Sequence, residues 1–379
     1  MNILFIGNYR SADGWGEAAR AYALSLLTTK HNITLRPIYM STSIEKNENI
    51  PPQIVLAEQN KSSHYDVIIQ KVLPNLLEFP NDTNSKYVGF GIAETAYLQH
   101  TSWPYHLNQM EYIISPSHQD KLNLEKSDVT TPISVIHEAI DIQKYEQEYN
   151  LAPWKEHGLH NLFLFYFVGE HVPRKNLKAL LTAFHREFSL NEPVGLLIKT
   201  SQAGLHPQQL LDKLDNEILQ FKKNLGIYQN TDQYIKEWII TEHLPQDKLC
   251  ALHQICDCFV MPSHGEACCR PMLDAAGFGN SVIVTQNTGM VDYINPINKI
   301  IPSTETPVVT NNRPLPYLYT ARETWQSISI LELQKAMRQI YEQDELTKIK
   351  TSQINQSHVK QFSYEKIGQQ FNEFLEKTQ

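Results

Sequence analysis

Residues Cys256–Thr285, CDCFVMPSHGEACCRPMLDAAGFGNSVIVT, read as one strand, loop, helix and strand. The apolar run from Cys258 to Met261 is stopped by Pro262, as a buried parallel strand is where the chain leaves its sheet. Pro271 suits the first turn of a helix, where its missing N–H would have had no partner, and Gly279 suits the far end. Ser281 to Thr285 forms the next strand. In such a unit the loop lies at the carboxyl edge of the sheet, and the helix start offers N–H groups and partial positive charge to an anion.

Two acids frame that anion site. Glu266 precedes the helix and Asp274 lies about one turn inside it, on the same crevice. A carboxylate only accepts hydrogen bonds and is repelled by phosphate, so the pair suits hydroxyl groups on either side of an anion. A phosphate flanked by polyhydroxyl groups is a sugar nucleotide.

The run GEACCRPMLDAAGFG, Gly265 to Gly279, resembles the paired-acid signature of retaining GT-B glycosyltransferases, in particular family four, the glycosyl transferases group 1. The resemblance implies an α/β GT-B fold: two Rossmann-like doubly wound domains facing a central cleft, with a last helix crossing back to the first domain. In that family both acids are usually glutamates separated by seven residues; here the second is Asp. By resemblance Glu266 holds the donor sugar's hydroxyls and Asp274 the ribose, one methylene short for its task. Ala267, Cys268, Cys269 and Arg270, at the helix start between them, join the donor site.

The size and composition fit this frame. A chain of 379 residues is long enough for two cores, and 41% hydrophobic with 20% charged residues describes an ordinary globular protein. The net charge of −8 argues against a nucleic-acid groove as the main function. MNILFIG reads as a first strand rather than a signal peptide, and no run approaches the ~20 apolar residues of a membrane span. A cytoplasmic protein is expected. All five cysteines lie between Cys250 and Cys269, without a C-x-x-C pair, and read as buried small hydrophobes and loop thiols rather than as a metal or disulfide framework.

In chain order, Asn2 to Gly7 is a strand, followed by a turn with Gly14 and Gly16 and a helix from about Glu17. Two readings of those glycines stand: a loop that lets backbone approach the donor phosphates, as the resemblance implies, or a turn that needs glycine for its geometry. Strands recur at Ile33 to Ile38, Val67 to Ile69, Tyr87 to Gly91, Tyr112 to Ile114 and Ile133 to Ile136, with helical stretches between several of them, which implies right-handed parallel crossovers. After the Tyr87 strand come Glu94, His100, Trp103 and His106. All four sit where the family places acceptor-contacting residues, the first three being the expected acceptor-binding ones, and aromatic faces beside a carboxylate suit sugars. Asp120 reads as a helix-start acid.

Gln143 to His160 is polar and reads as the interdomain linker. The expected domains are 1–145, binding the acceptor; 146–357, binding the nucleotide sugar; and 358–379, a helix returning to the first. Asn161 to Gly169 is a continuous apolar strand, then Arg174 and Lys175 end a loop before a helix from about Asn176. Lys199 ends the next strand. Three cations converging on the anion site are what a diphosphate leaving group requires. The family usually places an Arg where this chain has Glu170, while Lys175 matches its Lys. Thr288 and Gly289 form a turn near the donor, before Asp292. Ile300 to Tyr319 reads as an exposed loop, and Ile328 onward as helix with a break near His358 to Ser363.

The expected activity is transfer of a sugar, with retention, from a nucleotide-diphosphate sugar to a hydroxyl acceptor that is a glycan, lipid-linked or a small molecule. Lys175, Arg174 and Glu266 are the expected catalytic residues. The resemblance has the leaving phosphate take the acceptor's proton, so no general base is named. No D-x-D triplet is present, so neither metal nor cofactor is expected, with UDP- or GDP-sugar as donor. Epimerase and phosphorylase readings share the fold but lack support in the motifs. The alternative from another class is a non-catalytic sugar-nucleotide-binding or assembly protein on a degenerate GT-B scaffold. Gln220 to Leu225 is a weak basic-apolar patch for peripheral membrane contact.

Overall fold

Twelve apolar segments become two six-stranded parallel sheets in the computed structural model, which describes residues 1–39, 49–79, 84–156, 158–308 and 322–378. The first holds β1 (Asn2–Gly7), β2 (Asn32–Pro37), β3 (Val67–Lys71), β4 (Lys86–Phe90), β5 (Tyr112–Ser115) and β6 (Ile133–Val135), in the order β2-β1-β3-β4-β5-β6. The second holds β7 (Phe163–Glu170), β8 (Val194–Ser201), β9 (Trp238–Ile240), β10 (Cys258–Met261), β11 (Ser281–Thr285) and β12 (Lys299–Ile301), in the order β12-β11-β10-β7-β8-β9. Strands covered on both faces need side chains that are apolar throughout, and Leu164 to Phe167 and Cys258 to Met261 are wholly buried. The strand order reverses between β1 and β3 in the first sheet and between β7 and β10 in the second. Open α/β sheets hold ligands outside the carboxyl ends of the strands at such reversals.

Two compact units follow this division. One is drawn from Met1–Ile142, Leu315–Thr324 and Lys360–Gln379, the other from Gln143–Pro314 and Trp325–Val359. The helix Tyr364–Lys377 belongs to the first unit and packs on the helix Gly14–Leu27. Phe371 meets Tyr22 edge-on at 5.9 Å, and Gly368 sits where a Cβ would lie 2.0 Å from Thr28 Oγ1. Ile367, Phe371 and Leu375 are fully buried there.

Three expectations need correction. The first helix starts at Gly14 rather than Glu17, because the Asp13 carboxylate accepts the Gly16 N–H at 2.7 Å and caps it; both glycines lie in its first turn, not in a loop. Within the expected loop Ile300 to Tyr319, residues to Ile301 complete β12 and Ser303–Pro307 is a further strand paired with Thr324–Ile328; residues 309–321 lie outside the described ones. Gln220 to Leu225 ends the helix Pro207–Leu225, and Lys222 points inward, its ammonium 2.7 Å from Glu237. That lysine is therefore withdrawn from the supposed basic patch. Among the described residues no helix is long and apolar enough to cross a membrane.

Candidate active site

β7 and β10 pair in parallel, Phe165 with Cys258 and Tyr166 with Phe259, so the loops that follow them open side by side. After β7 the chain turns through Pro173–Lys175, and Asn176 takes the left-handed conformation (φ 55°) that Asn tolerates, before the helix Leu177–Glu187. After β10, residues 262–269 lead into the helix Arg270–Gly277. The loops are fastened together by hydrogen bonds to their backbone carbonyls. The His264 N–H donates to the Arg174 carbonyl at 2.8 Å, and the Asn176 side-chain amide donates to the Pro262 carbonyl at 3.0 Å.

This frame holds Arg174 and Lys175 against Glu266. The Glu266 Oε1 lies 2.8 Å from Arg174 Nη1 and 2.7 Å from Lys175 Nζ, and accepts from the Ser263 hydroxyl at 2.8 Å. Arg174 also donates to the Gly265 carbonyl. Burial works to raise the Glu266 carboxyl, but Arg174 and Lys175 outweigh it and hold it below the ordinary carboxylate range. Its Oε2 has no hydrogen-bond partner among the described residues.

Asp274 is arranged in the same way. Its Oδ1 lies 2.6 Å from Lys144 Nζ and accepts from the Tyr145 hydroxyl at 2.8 Å, while Oδ2 has no partner among the described residues. Burial opposes the charged form, and Lys144 more than compensates, so this carboxyl too is depressed. The Tyr145 ring lies flush on Gly277, where a Cβ would come within 2.4 Å of it. Behind Asp274, His253 is fully buried; desolvation brings its pKa down to about 4, and its Nδ1 lies 2.8 Å from the Tyr166 hydroxyl.

Between the acids, Cys269 enters the helix at φ 82°, a conformation that favours glycine. The backbone N–H groups of Ala267 and Cys269 have no partner among the described residues. Cys268 is buried and Arg270 half-buried at the helix start. Gly289 donates its N–H to the Glu266 carbonyl at 2.7 Å, which sets the Thr288–Gly289 turn against the loop.

Within the second unit, two other expected positions stand apart from this cluster. Lys199 lies two residues before the end of β8, on the far side of β7 from β10; its ammonium reaches only the Thr200 carbonyl at 3.4 Å among the described residues. The expected three converging cations are two. Glu170 is exposed and accepts from the Ala203 N–H at 3.2 Å. In the first unit, Gly16 is pressed against Ser11, where a Cβ would lie 2.2 Å from a carbonyl oxygen, whereas a Cβ on Gly14 would meet nothing within 4 Å. Glu94 is half-buried, His100 exposed and Trp103 buried at the start of the helix Trp103–Leu107.

Four participants escaped the sequence reading. Ser263 and His264 lie in the quoted stretch, but nothing in their types marks them. His264 stacks on Trp325 with ring centres 4.3 Å apart, a contact between residues 61 positions apart that no local pattern signals. Lys144 and Tyr145 fall in the polar stretch expected to be linker.

Residues 155–301 match the family model described as glycosyl transferases group 1. No curated protein is similar enough in sequence to match. Among solved structures, Anabaena Alr3699/HepE in complex with UDP and glucose is similar over 100% of both chains, at 14% identity and a TM-score of 0.65. An E. coli structure described as trehalose-6-phosphate bound with UDP-2-fluoro glucose is similar over 99% of both, at 10% identity and a TM-score of 0.65. Sucrose-phosphate synthase from Thermosynechococcus elongatus is similar over 100% of this chain and 98% of that one, at 14% and 0.65. The chain has the GT-B fold, and within it residues 155–301 are similar to the glycosyl transferases group 1.

Proposed function

We propose that this protein transfers a sugar from a nucleotide-diphosphate sugar, with UDP as the first candidate nucleotide, to a hydroxyl acceptor with retention of configuration. The observation that carries the reading is the pair Arg174 and Lys175, locked on Glu266 at the strand-order reversal of the second sheet, beside a helix start with open N–H groups. Departure of a nucleoside diphosphate leaves charge on phosphate oxygens, and preorganised cations and N–H groups stabilise it as it develops. Arg174 and Lys175 serve this step. Glu266 holds both cations in position through Oε1 and leaves Oε2 for a donor-sugar hydroxyl; Asp274, fixed by Lys144 and Tyr145, leaves Oδ2 for the ribose. Ala267, Cys268, Cys269, Arg270, Thr288 and Gly289 complete the donor site. Gly14, Gly16 and Lys199 remain candidates for the donor, and Glu94, His100 and Trp103 for the acceptor. HepE, solved with UDP-glucose at 15% identity and a TM-score of 0.65, supports UDP as the first nucleotide to try.

A second reading is a sugar-nucleotide-binding protein without turnover. It is favoured by Asp274, whose Oδ1 is already occupied by Lys144 and Tyr145. The deciding experiment is a thermal-shift panel with UDP, GDP, ADP, CDP and dTDP and their sugars, followed by donor-hydrolysis assays. A shift confined to one nucleotide and lost in Lys175→Ala, together with donor turnover, is the expected result. Binding without turnover favours the second reading, and no shift with any nucleotide overturns both.

A further inference from the structure

The first sheet has its own reversal of strand order, between β1 and β3, and two polar side chains occupy it without hydrogen-bond partners among the described residues. Asn8 follows β1 directly, and Lys71 ends β3 in register with Gly7. Asn8 is fully buried, and neither its Oδ1 nor its Nδ2 has a hydrogen-bond partner. Lys71 is 1% exposed and forms no hydrogen bond or ion pair among the described residues. Its ammonium lies 4.3 Å from the centre of the Trp15 ring and 5.1 Å from that of Phe90. Desolvation lowers its pKa to about 8, against the pull of Glu138 and Asp120.

Buried polar groups are almost always paired, because leaving one unmet forfeits its hydration for nothing. Leu and Met would fill these two positions without that penalty. Two unmet groups on adjacent strand ends, at the place where such sheets bind ligands, point to a partner that the fold does not supply.

We propose that Asn8 and Lys71 form the floor of an acceptor subsite whose occupant is an uncharged sugar. The proposal rests on the glycosyltransferase reading and adds the acceptor's class and two residues that bind it. An amide donates and accepts, and an ammonium donates, so together they match adjacent hydroxyl groups. Glu138 and Asp120, buried beyond the ends of β6 and β5, both draw on the Lys71 ammonium. A cation already held toward two carboxylates has less charge to offer a phosphate or carboxylate and suits a neutral polyol. Trp15, half-buried over Lys71, supplies an apolar face for a sugar ring.

The test uses the full-length protein with Lys71→Met and, as a second variant, Asn8→Ala. Thermal midpoints are read without ligand, with UDP, and with UDP plus each of glucose, galactose, mannose, their common disaccharides and glucose 6-phosphate. Lys71→Met removes an unpaired buried charge, so its midpoint without ligand is expected to rise by about 2 °C or more. The UDP shift is expected to stay as in the wild type. At least one neutral sugar is expected to shift the wild type, and neither variant. A lowered midpoint in Lys71→Met would make Lys71 a structural cation held by its aromatic neighbours and overturn the proposal. It is equally overturned if no neutral sugar shifts the wild type, if the variants respond like the wild type, or if glucose 6-phosphate shifts more than glucose. Absence of any UDP shift in the wild type is a separate failure, that of the transferase reading, and takes the subsite with it.

Discussion

Glu266 holds two cations in place, and its removal has consequences for folding before any for chemistry. Glu266→Gln keeps the shape but leaves Arg174 and Lys175 facing each other without a countercharge, and breaking a buried pair in this way costs roughly 3–5 kcal/mol. Urea unfolding should show that loss, while Lys175→Met at neutral pH should lose less stability and more nucleotide affinity. The same carboxyl gives the protein an acid limb. Its folded pKa lies below the unfolded value of about 4.3, so its contribution is full above that pH and is lost as pH falls through the folded pKa. Asp274 behaves alike just below about 3.9. His253 acts earlier: neutral in the fold down to about pH 4 but protonated in the unfolded chain below about 6.5, it removes about 1.4 kcal/mol per pH unit between those values. Urea midpoints from pH 7 to 4 should therefore fall in the wild type, and His253→Gln should flatten that fall. None of this was visible in the residue types alone. The acids were marked by their spacing around a helix start, but their cationic partners come from residues about 90 and 130 positions away.

Helices and strands were readable where side-chain pattern decides them, and less so where a single cap does. β1, β10 and β11 are apolar runs bounded by Pro or Gly and match their expected spans, whereas the first helix begins three residues early because of one Asp13 carboxylate. That shift changes what Gly14 and Gly16 are for. With open space around a Cβ, Gly14→Ala should gain about 0.5–1 kcal/mol from lower unfolded-state entropy and better helix propensity. Gly16→Ala must push against the Ser11 backbone and should lose stability by about 1–3 kcal/mol. Denaturant midpoints of the two variants separate these roles. If Gly14 also approaches the donor, Gly14→Ala will weaken nucleotide binding while raising stability. The helix Arg270–Gly277 carries a parallel case, since an Ala at Gly277 would collide with the Tyr145 ring that fixes Asp274. In a double-mutant cycle Gly277→Ala and Tyr145→Phe should be non-additive, the second costing little once the first has displaced the ring.

At the scale of the whole chain, two cores share one sequence without dividing it cleanly, because the last helix belongs to the first unit. The family pattern implied that return, and the break at residues 360–363 marks it, but its energetic weight depends on packing. Ile367, Phe371, Phe374 and Leu375 are buried, and at about 1.5–3 kcal/mol for each large apolar side chain they contribute on the order of 6–12 kcal/mol. That is comparable to the entire stability of a typical domain. Truncation after Val359 should therefore unfold the first unit, exposing the face of the Gly14–Leu27 helix around Tyr22 and Leu26. The second unit keeps β7 to β12, Arg174, Lys175, Glu266 and Asp274, so the proposed nucleotide site should survive. Hydrogen exchange on the truncated protein should show rapid exchange across β1 to β6 with protection retained in β7, β10 and β11. Titration calorimetry should give a UDP affinity within a few-fold of the full-length value. A protected second unit that no longer binds UDP would place essential donor contacts in the first unit, on the Gly14–Gly16 turn, and would move those glycines from packing to binding.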